Sequence, residues 1–246
     1  MRDINTLNDM AVKAGFFVTG TDTEVGKTLI AAALIHRLKE HHPMVGGFKP
    51  VVAGMNLIEG VLQNEDLVAL SRAMNYPHQA DYSDICPYQL KQAAAPHLVA
   101  KQEGVQLSYE HMIDSFKKLS NQVDAVVVEG VGGFKVPFSE QSNSADFAKD
   151  IQLPVILVVG MRLGCINHAL LTIEAIESRG LSLAGWIANT VGSMELLEEN
   201  IATLKNLISA PLLGVVPKLP EDLMKIPYGL DAIRLAASHI QLPKES

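Results

Sequence analysis

The chain has 246 residues, with 20 lysines and arginines against 27 aspartates and glutamates, a formal charge of −7. At 48% hydrophobic and 19% charged residues it is too apolar to stay disordered, and its acidity excludes a general nucleic-acid or anionic-membrane binder, both of which need a basic face. Its length suits one large domain or two small ones, at roughly 150 residues per domain, while two cysteines, Cys86 and Cys165, are too few for a disulfide framework and point to a reducing compartment.

In chain order, the opening residues MRDINTLNDMAVKAG carry Asp3, Asn5, Asn8 and Asp9 where a secretory signal needs an unbroken apolar stretch, so residues 1–14 are expected to be a short polar extension. Short β-branched runs then alternate with longer segments of helical period, the signature of βαβ units and a parallel sheet. Strands are expected at residues 16–19, 45–48, 125–129, 155–159, 184–188 and 212–216. Helices are expected at 27–41, 65–74, 109–119, 167–179 and 194–207, with Pro43 and Gly180 as stops after the first and fourth. The strands are apolar at nearly every position, which requires helices on both faces: an α/β fold of three layers around a mainly parallel central sheet. The most apolar run, residues 153–161, falls far short of the roughly 20 residues that span a bilayer and reads as a buried strand. A soluble, cytoplasmic protein is expected. With no linker, repeat or low-complexity tract, residues 15–242 are expected to form one domain. Residues 76–107, with Pro77, Pro87 and Pro96, are the least regular stretch and are equally well a substrate loop or a surface excursion.

The strongest motif is Gly20-Thr-Asp-Thr-Glu-Val-Gly26-Lys27-Thr28, set between the strand GFFVT and a helix beginning at Lys27. In that context the loop N–H groups and the helix N-terminus converge on an anion, Lys27 reaches the outer phosphates of a nucleotide, and the Thr28 hydroxyl faces Mg²⁺. This is a Walker A loop with one departure: five residues separate the glycines instead of four, so Thr21 takes the first position of the strict pattern. The plainer alternative is a strand–helix turn capped by Asp22 or Thr23. A metal also needs an acid at a neighbouring strand end, where open α/β sheets place their ligands. The segment Asp124-Ala-Val-Val-Val-Glu129-Gly-Val-Gly-Gly133 delivers Glu129 there, with glycines behind it that let backbone approach a ligand. Asp66 is either a second metal carboxylate or an ordinary residue of a helix's first turn. In Gly46-Gly-Phe-Lys49-Pro-Val-Val-Ala-Gly54 a strand ends in Lys49, which is either a surface lysine or a second ammonium over the triphosphate, where it would stabilise the charge of phosphoryl transfer.

The motifs GTDTEVGKT, KPV and VEGVGG, together with Gly160-Met-Arg-Leu-Gly-Cys-Ile-Asn167-His and Leu183-Ala-Gly-Trp-Ile-Ala-Asn189, resemble the dethiobiotin synthetase family of biotin biosynthesis, from the first strand to PLLGVVP. The resemblance implies a P-loop NTPase fold and an ATP- and Mg²⁺-dependent carboligase that closes a ureido ring from 7,8-diaminopelargonic acid and CO₂. It further implies a homodimer with the substrate site at the subunit boundary, and no nucleic-acid or membrane partner. By that resemblance Lys27 and Lys49 serve the transferring phosphoryl group and the carbamate, and Thr28, Asp66 and Glu129 hold Mg²⁺. Thr23, Glu24, Val25 and Gly26 line the phosphates with Lys27 and Thr28, and Gly132 lies against nucleotide and substrate. Asn189, Thr190, Pro217, Lys218 and Leu219 match the adenine-recognising positions, where an amide meets the purine's donor and acceptor edge. Ala53 stands at the amine or carbamate end of the substrate, and Gly164, Cys165 and Asn167 offer N–H groups to its carboxylate. From the residues alone Asn167 is equally a helix cap.

Three departures stand out. Ala53 occupies the position, four after the catalytic lysine, where the family usually carries a hydroxyl; the common T-S-P-H reads Ala94-Ala95-Pro96-His97; and Thr190 stands where some relatives have an acid, which relaxes base selectivity. A lost hydrogen bond to a charged group costs about 1.5–3 kcal/mol unless water or a neighbour substitutes. Two other readings exist. A P-loop amide ligase such as cobyrinic acid a,c-diamide synthase is expected to need an appended glutaminase domain, for which 246 residues leave no room. A nucleotide-switched partner protein of the ParA/MinD kind carries an additional lysine near the loop's start, and residues 20–26 contain none. His41, His42, His168 and Trp186 are expected to be structural, and the Cys165 thiol, with no His–Asp set in reach, a small buried group.

Overall fold

The structure, a computed structural model, describes residues 14–243; the expected extension, apart from Ala14, lies outside the described residues. β1 (Ala14–Gly20) leads to α1 (Lys27–Leu38), β2 (Val45–Phe48), the two-residue β3 (Val52–Ala53), a hairpin of β4 (Asn56–Ile58) and β5 (Val61–Gln63), and α2 (Glu65–Ala73). Next come β6 (Gln89–Leu90), α3 (Pro96–Glu103), α4 (Tyr109–Ser120), β7 (Ala125–Glu129) and α5 (Ser144–Ile151). The second half alternates β8 (Val155–Gly160), α6 (Cys165–Glu177), β9 (Leu183–Asn189), α7 (Leu197–Leu207), β10 (Leu212–Val216) and α8 (Leu230–Ser238). Six strands form one parallel sheet in the order β10-β9-β8-β1-β7-β2. The chain leaves β1 toward the β2 edge and later builds outward from the opposite side of β1. The crevice at the C-terminal ends of β1 and its neighbours is therefore the topological switch point, where sheets of this kind hold ligands.

Every residue of β7 and β8 is buried, as a sheet covered on both faces demands. Consecutive glycines of β2 show the two coverings: Gly46 faces Leu119 of α4, and Gly47 faces Ile35 of α1 and Leu70 of α2. Farther along, Leu157, Val159, Trp186 and Ala188 pack with α6 and α7, while the intervening Ile156, Val158 and Ile187 join the larger core.

All six expected strands are present. The first helix stops at Leu38 instead of residue 41, because the chain tightens there: Glu40 N–H donates to Arg37 O and His41 N–H to Leu38 O, three residues back instead of four. The helix expected from residue 167 starts two residues earlier, capped by Gly164 at φ +92, so Asn167 sits inside the first turn and is not the cap. The helix expected from residue 194 begins at Leu197. Three helices go beyond the sequence reading. α3 lies inside the irregular 76–107 stretch, opened by Pro96 and closed by Gly104; α5 carries an Asn143–Asp146 capping box but only eight residues of periodicity; α8 closes the described chain against α1 and α2.

Candidate active site

β1 ends at Gly20 and the chain turns through residues 21–26 into α1. Thr21 N–H donates to Val158 O at 3.1 Å, and the fully buried Val25 wedges between Gly20 and Gly160, where any Cβ would stand 2.5 and 2.8 Å from its methyl carbons. Gly26 caps α1 at φ +88 with no side-chain bond, so neither Asp22 nor Thr23 is the cap. A side chain at Gly26 would meet Asn189 Nδ2 at 2.1 Å, and that same amide donates to Val25 O at 2.9 Å. The end of β9 thus braces the loop.

Four chemically distinct residues, Thr28, Lys49, Asp66 and Glu129, meet at the mouth of this loop. Lys49, 4% exposed just past β2, places Nζ 2.7 Å from Asp66 Oδ2 and 2.6 Å from Glu129 Oε1, the last residue of β7. The Thr28 hydroxyl lies 2.6 Å from Asp66 Oδ1 and 2.8 Å from Glu129 Oε1, and its single proton serves one carboxylate at a time. Asp66 is delivered by Asn64, the N-cap of α2: Asn64 Oδ1 accepts from Asp66 N–H at 3.0 Å, and Nδ2 donates to Gly54 O at 2.6 Å. The start of α2 is thereby tied to the segment that follows Lys49. Lys27 Nζ donates to Asp22 O at 2.9 Å, and the Asp22 carboxylate accepts from the Arg162 guanidinium.

Burial is the largest influence on each of these charges. It lowers Lys27 to about 8, with Lys49 pushing the same way. At Lys49 burial is outweighed by Asp66 and Glu129, and the ammonium is held above its ordinary range. Burial favours the neutral acid at both carboxylates: Lys49 overcomes it at Asp66, whose pKa is lowered, whereas burial prevails at Glu129, whose pKa is raised. Glu129 Oε2 is buried without a hydrogen-bond partner among the described residues. An orphaned carboxylate oxygen beside a second carboxylate and a hydroxyl is an all-oxygen donor set, which fits a hard divalent cation that keeps waters and phosphate oxygens in its other positions. Among the described residues no group of three or more His, Cys, Asp or Glu is arranged to hold a metal; the third oxygen of this set is the Thr28 hydroxyl.

The cluster lines one side of a cavity of about 880 Å³ that also takes in Thr23, Glu24, Gly26, Ala53 and Gly132. Asn189, Thr190, Pro217, Lys218 and Leu219 line it at the ends of β9 and β10. Val25 does not; its side chain is the buried wedge, and only its backbone belongs to the loop. Gly164, Cys165 and Asn167 do not line it either: the Cys165 side chain is buried with α6 and α7, and the neighbouring Leu163 is 98% exposed. Ala93 to Pro96 before α3, most of them in the segment read against T-S-P-H, also line it, as do Met224, Ile226 and Tyr228 before α8, which belong to no motif. Arg72 of α2 fastens the second of these segments, donating to Pro227 O at 2.9 Å and Tyr228 O at 3.1 Å. Nothing local in the sequence marks residues 224–228 as part of a site.

A family model described as an AAA domain matches residues 14–224. The chain is 46% identical to the ATP-dependent dethiobiotin synthetase of Aromatoleum aromaticum, over 95% of this chain and 100% of the relative. It is 48% identical to that of a Janthinobacterium species, over 84% and 89%, and 46% identical to that of Ralstonia nicotianae, over 95% and 97%. Among solved structures, a ParA family ATPase from Chlorobium tepidum matches with a TM-score of 0.54 at 13% identity, over 92% of this chain and 91% of the other. The MinC:MinD cell division complex of Aquifex aeolicus matches at 0.50 and 16%, over 90% and 85%. At such identities the structural likeness speaks for the fold alone.

Proposed function

The chain belongs to the dethiobiotin synthetase family of P-loop ligases, and from that premise we propose that it makes dethiobiotin from 7,8-diaminopelargonic acid, CO₂ and ATP, with Mg²⁺. The observation that carries the reading is the convergence of Thr28, Lys49, Asp66 and Glu129 within hydrogen-bond reach at the mouth of the phosphate loop. One amine of the substrate adds to CO₂ and loses a proton, giving a carbamate. A carbamate oxygen attacks the γ-phosphorus of ATP, ADP leaves, and a carbamic–phosphoric anhydride forms. The second amine attacks the carbonyl carbon, loses its proton and expels phosphate, closing the ureido ring.

Lys27 follows the γ-phosphate, exchanging its contact with Asp22 O for phosphate oxygens. Lys49, kept charged by its two carboxylates, stands beside the oxygens that gain charge as the phosphoryl group moves. Thr28, Asp66 and Glu129 would hold Mg²⁺, which would supply positive charge against the phosphates of ATP. Asn189 has given one amide hydrogen to Val25, which leaves the other and its carbonyl oxygen for a purine edge, with Thr190 and residues 217–219 around it. The loop holding Gly164, Cys165 and Asn167 does not line the cavity of its own chain, which supports a homodimer in which a second copy's loop receives the substrate carboxylate. We further infer a single domain over residues 15–242 acting in the cytoplasm; no helix among the described residues is long and apolar enough to cross a membrane.

The test is a coupled assay with the diamine, bicarbonate, ATP and Mg²⁺. Dethiobiotin and phosphate should appear in step. ATP turnover indifferent to the diamine, or no ureido product, would end the reading, and an active monomer by light scattering would end the dimer.

A further inference from the structure

Of the residues that line the cavity outside the phosphate loop, Val51, Val52, Ala53 and the run Ala93 to Ala95 offer no polar side chain. Glu65 and Tyr228 line it too. Glu65 is a carboxylate and can only accept, while Tyr228 carries a hydroxyl with no hydrogen-bond partner among the described residues. The backbone of Tyr228 is anchored by Arg72 from α2, the helix whose first turn carries Asp66, so one rigid element sets the tyrosine and the carboxylate relative to each other. A carbamate anion bound beside the Lys49 cluster needs hydrogen-bond donors, and Glu65, Asp66 and Glu129 supply only acceptors.

We propose that Tyr228 contacts substrate, its hydroxyl donating a hydrogen bond to the carbamate oxygen of the bound diamine and taking over the contact that Ala53 cannot make. This rests on the functional reading above and extends it to a residue that no motif marks. A neutral donor suits the position, because it holds the anion without competing with Lys49 for Asp66 and Glu129. Burial, then the charges of Asp66, Glu65 and Glu129, push the phenol's pKa up, so it keeps its proton and remains a donor.

The experiment is steady-state kinetics of Y228F, which removes one oxygen and keeps the ring's packing, alone and combined with A53S. Y228F should raise the KM for the diamine about ten-fold or more and leave the KM for ATP within about two-fold. Adding A53S to Y228F should recover most of that loss, and A53S in the wild-type chain should change the diamine KM far less. An unchanged diamine KM, equal changes for ATP and diamine, or no rescue by A53S would overturn the proposal. A wild-type protein that makes no dethiobiotin removes the functional reading and this one together. A working wild type with an indifferent Y228F removes the role of Tyr228 alone.

Discussion

One part of the cavity wall is a knot of charge, and another is made of alanines, valines, a methionine, an isoleucine and a tyrosine, with Glu65 among them. The charged side is built wholly from element ends: Lys27 and Thr28 open α1, Lys49 follows β2, Asp66 is the second residue of α2, and Glu129 closes β7. Moving any of them means moving the sheet or a helix packed on it. The apolar side hangs on loops, fastened at one corner by the hydrogen bonds of Arg72. On the proposed function, reaction chemistry is fixed by the scaffold, while substrate fit lies in segments that can change at little cost to the fold. Buried ion pairs seldom stabilise a protein over apolar packing, so the charged side is kept for what it binds.

The comparison breaks most sharply at Lys27. Lys27→Ala should cut ATP turnover by about 10²-fold or more, with the fold retained by circular dichroism, because its removal also takes away a buried charge. Retained turnover would deny the charged side its control of the chemistry. Lys49→Ala comes next: it leaves the buried Glu129 facing the partly exposed Asp66 without a cation, which should cost about 3 kcal/mol in metal-free unfolding, part of it recovered by Mg²⁺. Its kcat should fall far more than its nucleotide affinity, and equal losses in both would erase the division of labour between the two lysines. Asn64→Ala removes the cap of α2 and its tie to Gly54, a loss of about 1 kcal/mol in unfolding, with a higher Mg²⁺ requirement as the mark of a displaced Asp66. An unaltered Mg²⁺ requirement would show that Asp66 is held by other means.

The smallest effect is in pH. Lys27, at about 8 in the folded chain against 10.5 for an ordinary lysine, has lost its proton between those values while the unfolded chain keeps it. Its charge therefore destabilises the free protein below pH 8, and that cost fades as pH rises from 8 toward 10.5. Nucleotide binding has the opposite sign, since phosphate favours the ammonium form. At about pH 9 ATP binding should take up a proton and weaken with further rise, which calorimetry in two buffers of different ionisation heat will register. Binding without proton uptake would mean that Lys27 is not the group that titrates.

What could be read from the chain follows the same division. GTDTEVGKT is contiguous, and Lys49 and Glu129 sit where apolar runs stop, so sequence placed them at one sheet edge. Asp66 was ambiguous because what commits it is a tertiary bond, from Asn64 to Gly54. Val25 counts as a loop residue by position, yet its side chain points into the core, a direction that a motif does not encode. The start of α6 was missed by two residues because its cap is a glycine and shows no polar side chain. Tyr228 had no signal at all: its place depends on a guanidinium 156 residues away along the chain.

The bond from Asn189 to Val25 O has a consequence for descent. On the proposed seating of a purine at residue 189, a substitution there that alters the preferred base also withdraws the brace from the phosphate loop, while a side chain added at Gly26 would strike the bracing amide. A lineage drifting toward another nucleotide would change residues 190 and 217–219 first and Asn189 last.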